Sequence, residues 1–179
     1  VVAVSLKKKI AERYAAGIGI ETPLLGFSMT KSVVNALIGI LTQQGLVTPS
    51  MPAPIPEWRG ADDPRREIEV EHLMRMTSGL DLDETNSGFD PSSRMYLHDD
   101  TAAYAVHTKM IAPLGTRWHY SSPTTQILAR IVRDAVGGPE QTLAFAWREL
   151  FNPLGMRSVT LEFDGAGTLC VGDILRNRI

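Results

Sequence analysis

The sequence predicts an α/β chain of the α+β kind, a β-hairpin at the N-terminus followed by a mainly helical body. Three features carry that reading. A β-branched run at 1–4 is followed by a polar stretch and a second short stretch at 10–14 that could return beside it. Apolar residues recur at helical spacing over 28–44 and again over 122–136. Between these helices, proline and glycine cluster as they do where a chain turns.

Taken in order, 1–4 reads as a strand, 5–9 as a polar turn holding Lys7-Lys8-Lys9, and 10–14 as the partner strand. A two-stranded hairpin alone is only marginally stable. Its open edge invites pairing with another chain, so self-association through that edge is an expectation. Gly17, Gly19 and Pro23 mark a loop. The strongest helix runs over 28–44, where Val34, Leu37, Ile38 and Leu41 keep helical spacing and Met29, Val33 and Ile40 widen the apolar surface. Gly45 is placed to stop it. Ser28, Lys31, Ser32 and Asn35 form a polar stripe on this helix. A buried lysine without a partner is costly, so the stripe should face a cleft.

Pro49, Pro52, Pro54 and Pro56 predict an extended loop up to Trp58, followed by charged residues over 59–66. Ile68 and Val70 suit a short strand, 71–76 a helical turn, and Thr77-Ser78-Gly79 its end. Residues 81–93 read as polar and irregular. Asp100 or Thr101 should cap a helix reaching about Met110, closed by Pro113 and Gly115. Ser122-Pro123 has the form of an N-cap followed by proline at the first helical position. Gly137-Gly138-Pro139 stops that helix, a further helix covers 140–150, and Asn152-Pro153-Leu154-Gly155 is a turn. The tail after Asp164 is Gly-rich and weakly patterned, and no internal repeat is visible.

Composition narrows the function. The chain has 179 residues, 44% hydrophobic and 21% charged, an ordinary globular balance. A formal net charge of −2 gives no pull toward nucleic acid or an anionic membrane. No apolar run approaches the roughly eighteen residues of a membrane span. No signal peptide is visible. The chain begins at Val1 rather than Met, so an N-terminal segment is expected to be missing and the compartment stays open. Cys170 is single, which excludes an internal disulfide and suits a small buried hydrophobe. His72, His98, His107 and His119 lack metal-ligand spacing, so neither a metal nor another cofactor is expected. Asp62-Asp63 and Asp99-Asp100 read as loop and capping residues.

The chemistry centres on Ser28-Met29-Thr30-Lys31. Residues three apart share a helix face, so the Lys31 amine can reach the Ser28 hydroxyl. A serine hydroxyl is a weak nucleophile until a neighbouring base takes its proton. At the head of a helix, the dipole favours developing negative charge, and the serine's own N–H can form half of an oxyanion hole. Ser5-Leu6-Lys7-Lys8 has the same spacing but no long helix after it, and reads as a coincidence. Tyr120, in His119-Tyr120-Ser121-Ser122, is a second candidate, since a tyrosine beside cations can serve as a general base. From the residues alone, the bland readings stay open: Ser28 and Ser122 as N-caps, Tyr120 as a packed aromatic. A Ser-His-Asp triad also stays open, although Gly26-Phe27-Ser28-Met29-Thr30 lacks the second glycine of a nucleophile elbow.

Four stretches together resemble one superfamily, the β-lactamases and penicillin-binding proteins. Leu25-Gly26-Phe27-Ser28-Met29-Thr30-Lys31-Ser32 resembles the nucleophile motif of class C β-lactamases, their esterase relatives and the 6-aminohexanoate-dimer hydrolases. His72-Leu73-Met74-Arg75-Met76-Thr77-Ser78-Gly79-Leu80 is similar to the "LLxMTSGL" segment. Pro113-Leu114-Gly115-Thr116-Arg117-Trp118-His119-Tyr120-Ser121-Ser122 resembles the "PGxxxxYS" segment, and Phe151-Asn152-Pro153-Leu154-Gly155-Met156 the "PLGM" turn. They occur in family order over nearly the whole chain.

The resemblance implies a β-lactamase-like αβα fold and a serine hydrolase that forms an acyl-enzyme on small esters or amides. Ser28 would be the nucleophile. Lys31 would take its proton or hold Tyr120 in basic form, and Tyr120 would relay protons to the leaving group and activate the deacylating water. Trp118 is close enough in sequence to Tyr120 to line the substrate pocket. Ser122 stands where the family usually has Asn, and a hydroxyl offers fewer hydrogen-bonding groups than an amide. That change points toward ester or linear-amide hydrolysis rather than β-lactam hydrolysis. The family's late Lys/His-Thr/Ser-Gly triplet does not occur here. Residues 1–179 are therefore expected to be a partial domain lacking the C-terminal sheet strands. The alternative expectation is a catalytically weak or inactive member that keeps a ligand-binding or penicillin-binding cleft. A purely structural α/β domain is the third.

Overall fold

The computed structural model describes residues 2–170 apart from 6, 7, 21, 23 and 86. Strand β1 (Val2–Ser5) pairs antiparallel with β2 (Lys8–Glu12), Val2 opposite Glu12 and Ser5 opposite Lys8, with a register shift between Ala3 and Val4. Lys8 and Lys9 thus belong to the return strand and not to the turn. The expected start at Val1 and the turn residues Leu6 and Lys7 lie outside the described residues.

A 3₁₀ turn, Phe27–Met29, leads into helix α1 (Thr30–Gln43). Ser28 therefore sits one turn ahead of the regular helix. Val33, Val34, Leu37, Ile38 and Leu41 form the buried face. Met29 does not join them and is 62% exposed. The tighter 3₁₀ winding rotates it out of the α-helical register. Ile40 is half-buried, and Ser32 and Asn35 are exposed, so of the expected stripe only Lys31 is partly covered. The helix ends as expected at Gly45. Its left-handed φ of 74° lets Leu46 N–H bond Leu41 O at 2.9 Å and Gly45 N–H bond Thr42 O at 3.0 Å.

The expected strand at Ile68 and Val70 shrinks to a single bridge between Pro52 and Glu69. A capping box explains this: Glu69 N–H donates to His72 Nδ1 at 3.1 Å, which commits Val70 to helix α2 (Val70–Met74). The stretch expected to be irregular contains α3 (Pro91–Met95), whose N-cap Asp90 accepts from Ser93 N–H at 3.2 Å. Helix α4 (Thr101–Val106) is capped by Asp100, as expected, but stops short of Met110. Residues 109–112 are instead taken by the loop after α2, with Asp81 N–H on Lys109 O at 3.0 Å and Ile111 N–H on Gly79 O at 2.8 Å. Gly79 is required there, because a Cβ would fall 2.1 Å from Ala112 O.

Helix α5 (Ser122–Val136) is the centre of the body and packs against α1, α2, α3, α4 and α6 (Pro139–Ala146). Residues 121–129 are all buried. Among their polar members, Gln126 Nε2 donates to Leu169 O at 2.9 Å. Helix α6 widens into a π-turn, Trp147–Phe151, rather than running straight over 140–150. The weakly patterned tail is held by Asp164, whose carboxylate accepts from Thr101 Oγ1 at 2.6 Å and Thr168 N–H at 2.8 Å. Cys170 is half-buried, not fully buried. Among the described residues, no helix is long and apolar enough to cross a membrane.

The loop over 52–68 is fixed by two polar anchors. Trp58 is fully buried, and its Nε1 donates to Val106 O at 2.9 Å. Arg65 grips Asp63 through Nε and one terminal nitrogen, and donates with the other to Val106 O at 3.1 Å and Thr108 O at 3.0 Å. The Arg65 hydrogen bond holds the Asp63 carboxyl below the usual carboxylate range. A carboxyl lowered in the folded state stabilises the fold above its unfolded pKa, and that contribution is lost as pH falls through the lowered folded value. Asp63→Asn keeps the cap and removes the charge. Urea unfolding should show it less stable than the parent at pH 7, with the gap closing as pH drops below about 4.

Candidate active site

The site forms where the heads of α1 and α5 meet. α1 lies against α5 through its apolar face, so residues far apart in sequence are brought side by side. The Ser28 hydroxyl accepts from Lys31 Nζ at 3.0 Å and from Tyr120 OH at 2.7 Å. Lys31 Nζ also donates to Ser122 Oγ at 2.9 Å and lies 4.9 Å from the centroid of the Tyr120 ring. Four of the five residues singled out by sequence are thus in one hydrogen-bonded group. The fifth, Trp118, is 66% exposed two residues before Tyr120.

Local structure explains how the side chains come to point this way. Phe27 has a φ of 43°, a left-handed conformation for a non-glycine residue, and it turns the chain sharply into the 3₁₀ turn carrying Ser28. The N-cap of α5 is Ser121, not Ser122: its side chain accepts from Thr124 N–H at 3.1 Å. Pro123 accordingly sits second in the helix. Sequence reasoning placed the cap one residue late because Ser-Pro usually puts proline first. The shift matters, since it leaves the Ser122 hydroxyl for Lys31.

Sequence reasoning missed Asp83 and Glu84. Glu84 Oε2 accepts from the Ser122 backbone N–H at 2.5 Å. His119 Nε2 lies 2.8 Å from Asp83 Oδ1, off the line of a hydrogen bond. His119 N–H donates to Met76 O at 2.9 Å, which ties the segment before Tyr120 to the end of α2. These acids fall in the polar stretch after Gly79, where no short-range pattern marks them. A small cavity lies behind this segment, lined among others by Met76, Leu82, Asp83, His119 and Ser121. It does not reach Ser28 or Tyr120, both of which are open to solvent. Among the described residues, no cluster of three or more His, Cys, Asp or Glu could hold a metal ion.

The arrangement supports proton transfer at one hydroxyl: an acceptor-donor oxygen between an amine and a phenol, beside a helix head. The family model described as Beta-lactamase matches residues 2–169, and the chain belongs to that family. A curated relative, the 6-aminohexanoate-dimer hydrolase of Paenarthrobacter ureafaciens, is 28% identical over 177 residues, which is 88% of this chain and 43% of the relative. A Bacillus anthracis structure provisionally assigned as a 6-aminohexanoate-dimer hydrolase has a TM-score of 0.75 at 19% identity, covering 98% of this chain and 50% of that one. A D-stereospecific amidohydrolase from Streptomyces sp. has a TM-score of 0.63 at 18% identity, covering 92% of this chain and 60% of that one. The β-lactamase-like fold is thereby established, and the chain spans about half the length of these relatives.

The cap assignment has a measurable consequence. Ser121→Ala should cost about 0.5–2 kcal/mol in chemical denaturation, the usual loss for an N-cap. Ser122→Ala, which takes one acceptor from a half-exposed ammonium, should cost less in the same assay.

Proposed function

We propose that this chain carries the nucleophilic centre of a serine hydrolase that acts on small esters or linear amides through an acyl-enzyme. One observation supports the reading above others: the Ser28 hydroxyl is contacted at once by the Lys31 amine at 3.0 Å and the Tyr120 phenol at 2.7 Å. The relatives' printed activities, a dimer hydrolase and an amidohydrolase, are of the same chemical class.

In the acylation step, Ser28 Oγ attacks the substrate carbonyl carbon and its proton passes to Tyr120, acting in its deprotonated form beside the Lys31 ammonium. The ammonium of Lys31 stabilises whichever nearby oxygen carries the negative charge. The Oγ–C bond forms, and the carbonyl oxygen takes negative charge near the Ser28 N–H at the helix head. Collapse breaks the ester C–O or amide C–N bond, and the leaving group takes the proton from Tyr120. Water then attacks the acyl-enzyme, gives a proton back through Tyr120, and releases the acid and free Ser28. Trp118, exposed beside this centre, offers an apolar face to the substrate. The Ser122 hydroxyl accepts from Lys31, and a hydroxyl has fewer hydrogen-bonding groups than an amide with which to hold a β-lactam.

A second reading, a member that binds or is acylated without efficient turnover, draws on the openness of the site. Ser28 and Tyr120 face solvent, and a water-exposed centre loses much of the electrostatic advantage of a dry one. One experiment separates the two. The protein is treated with a fluorophosphonate probe and a fluorescent penicillin, and p-nitrophenyl ester hydrolysis is followed. Labelling with ester turnover supports the hydrolase; labelling without turnover supports the second reading. A folded sample that is never labelled defeats both. Ser28→Ala should abolish labelling with little change in melting temperature. Lys31→Ala and Tyr120→Phe should slow acylation by about 10²-fold or more.

A further inference from the structure

The segment 119–122 that carries Tyr120 and Ser122 has no regular structure before α5 begins, yet it must hold two side chains against α1 to within hydrogen-bond tolerance. Besides the His119 N–H bond to Met76 O, its restraint comes from the dipeptide Asp83-Glu84, whose Glu84 lies 38 residues upstream of Ser122. Glu84 Oε2 accepts the Ser122 N–H at 2.5 Å. That N–H belongs to the first residue of the 15-residue α5, so it has no partner within the helix and sits at the positive end of its dipole. Asp83 stands against His119, on the other side of Tyr120, at 2.8 Å. Glu84 N–H donates to Asp83 Oδ1 at 2.9 Å, which fixes the two carboxylates relative to one another. The dipeptide therefore straddles Tyr120.

We propose that Glu84 is a positioning residue: by holding the Ser122 peptide, its carboxylate sets the places of the Tyr120 phenol and the Ser122 hydroxyl relative to Ser28 and Lys31. The inference rests on the hydrolase reading for its effect on rate, but its geometric part stands independently. Glu84 acts through the backbone N–H that it accepts and not on Ser28 Oγ itself. What matters is then the reach of its acceptor oxygen rather than its charge. Glutamine keeps the reach and the acceptor, aspartate keeps the charge and shortens the arm, and alanine removes both.

The test compares Glu84→Gln, Glu84→Asp and Glu84→Ala in the full chain. Circular dichroism establishes that each variant retains the parent helix content. Fluorophosphonate labelling of Ser28 should be close to the parent rate in Glu84→Gln and slowed by about tenfold or more in the other two, because a small misplacement at a reacting centre has effects of that size. With a p-nitrophenyl ester, the loss should fall on kcat with KM little changed. The ¹³Cζ resonance of Tyr120 and the hydrogen exchange of the Ser122 amide should move in Glu84→Asp and Glu84→Ala and stay near parent in Glu84→Gln. Glu84→Asp behaving as parent while Glu84→Gln is slowed would overturn the proposal in favour of a charge effect. Equal rates and unchanged spectra in all three would overturn it outright. If the parent itself is never labelled, the hydrolase reading fails, and the Tyr120 and Ser122 spectra alone still decide whether Glu84 positions this segment.

Discussion

The site hangs on one ammonium group. Lys31 Nζ bridges Ser28, one turn before it, and Ser122, 91 residues later, and it lies against the ring face of Tyr120. A lysine brings three N–H donors and no acceptor, so a half-buried one needs oxygen or π-electron partners on several sides. Two hydroxyls and one aromatic face meet that need. The lysine reaches them only because the buried face of α1, Val33 through Leu41, is seated on α5, which fixes where the two helix heads meet. Apolar packing between two helices thus sets the geometry of a polar cluster at their ends, and the cluster in turn fills the lysine's hydrogen-bonding capacity.

Both non-glycine residues with positive φ among the described residues flank this cluster. Phe27, at 43°, immediately precedes Ser28, and its side chain is 61% exposed, so side-chain burial contributes little to holding it there. Met76, at 57°, accepts the His119 N–H and so anchors the approach to Tyr120. Each left-handed residue of this kind costs on the order of 1–2 kcal/mol. Strain of that size persists only where surrounding contacts over-determine the backbone. At Met76 those contacts are on view: Thr77 O accepts Gly115 N–H, Gly79 O accepts Ile111 N–H, and Asp81 N–H donates to Lys109 O. The loop after α2 is a rack on which the chain running toward Tyr120 is laid.

What could be read from sequence followed the range of the forces involved. The buried face of α1, the glycine stop at Gly45 and the Asp100 cap are local, and they were legible from spacing and residue type. The meeting of Ser28, Lys31 and Tyr120 was legible through resemblance, because the motifs record a tertiary contact that no local pattern encodes. Elements whose state is set by distant partners were not legible. The end of α4 was misplaced because 109–112 is claimed by 79–81. The strand at Ile68 and Val70 failed for a local reason instead, the competing capping box at Glu69 and His72. α3 had a local signal, Asp90-Pro91, but it lay inside a stretch whose overall polarity read as loop. Asp83 and Glu84 had none, since a carboxylate that serves a backbone N–H 38 residues away looks like any solvated acid.

The pair Ser121-Ser122 shows how narrow the margin is between a scaffold residue and a site residue. Ser121 is extended, with φ −155° and ψ 116°, the backbone that lets an N-cap side chain fold back onto the helix. Ser122 is the first helical residue, and its hydroxyl is directed across to Lys31. Had the helix begun one residue later, Ser122 would have spent its oxygen on a backbone N–H of α5, and Lys31 would have lost its second hydroxyl. As the first helical residue, Ser122 also has an N–H with no partner inside the helix, and Glu84 supplies the acceptor. Placing the cap at Ser121 therefore frees the hydroxyl that Lys31 uses, while the helix head leaves the neighbouring amide to a carboxylate from another part of the chain.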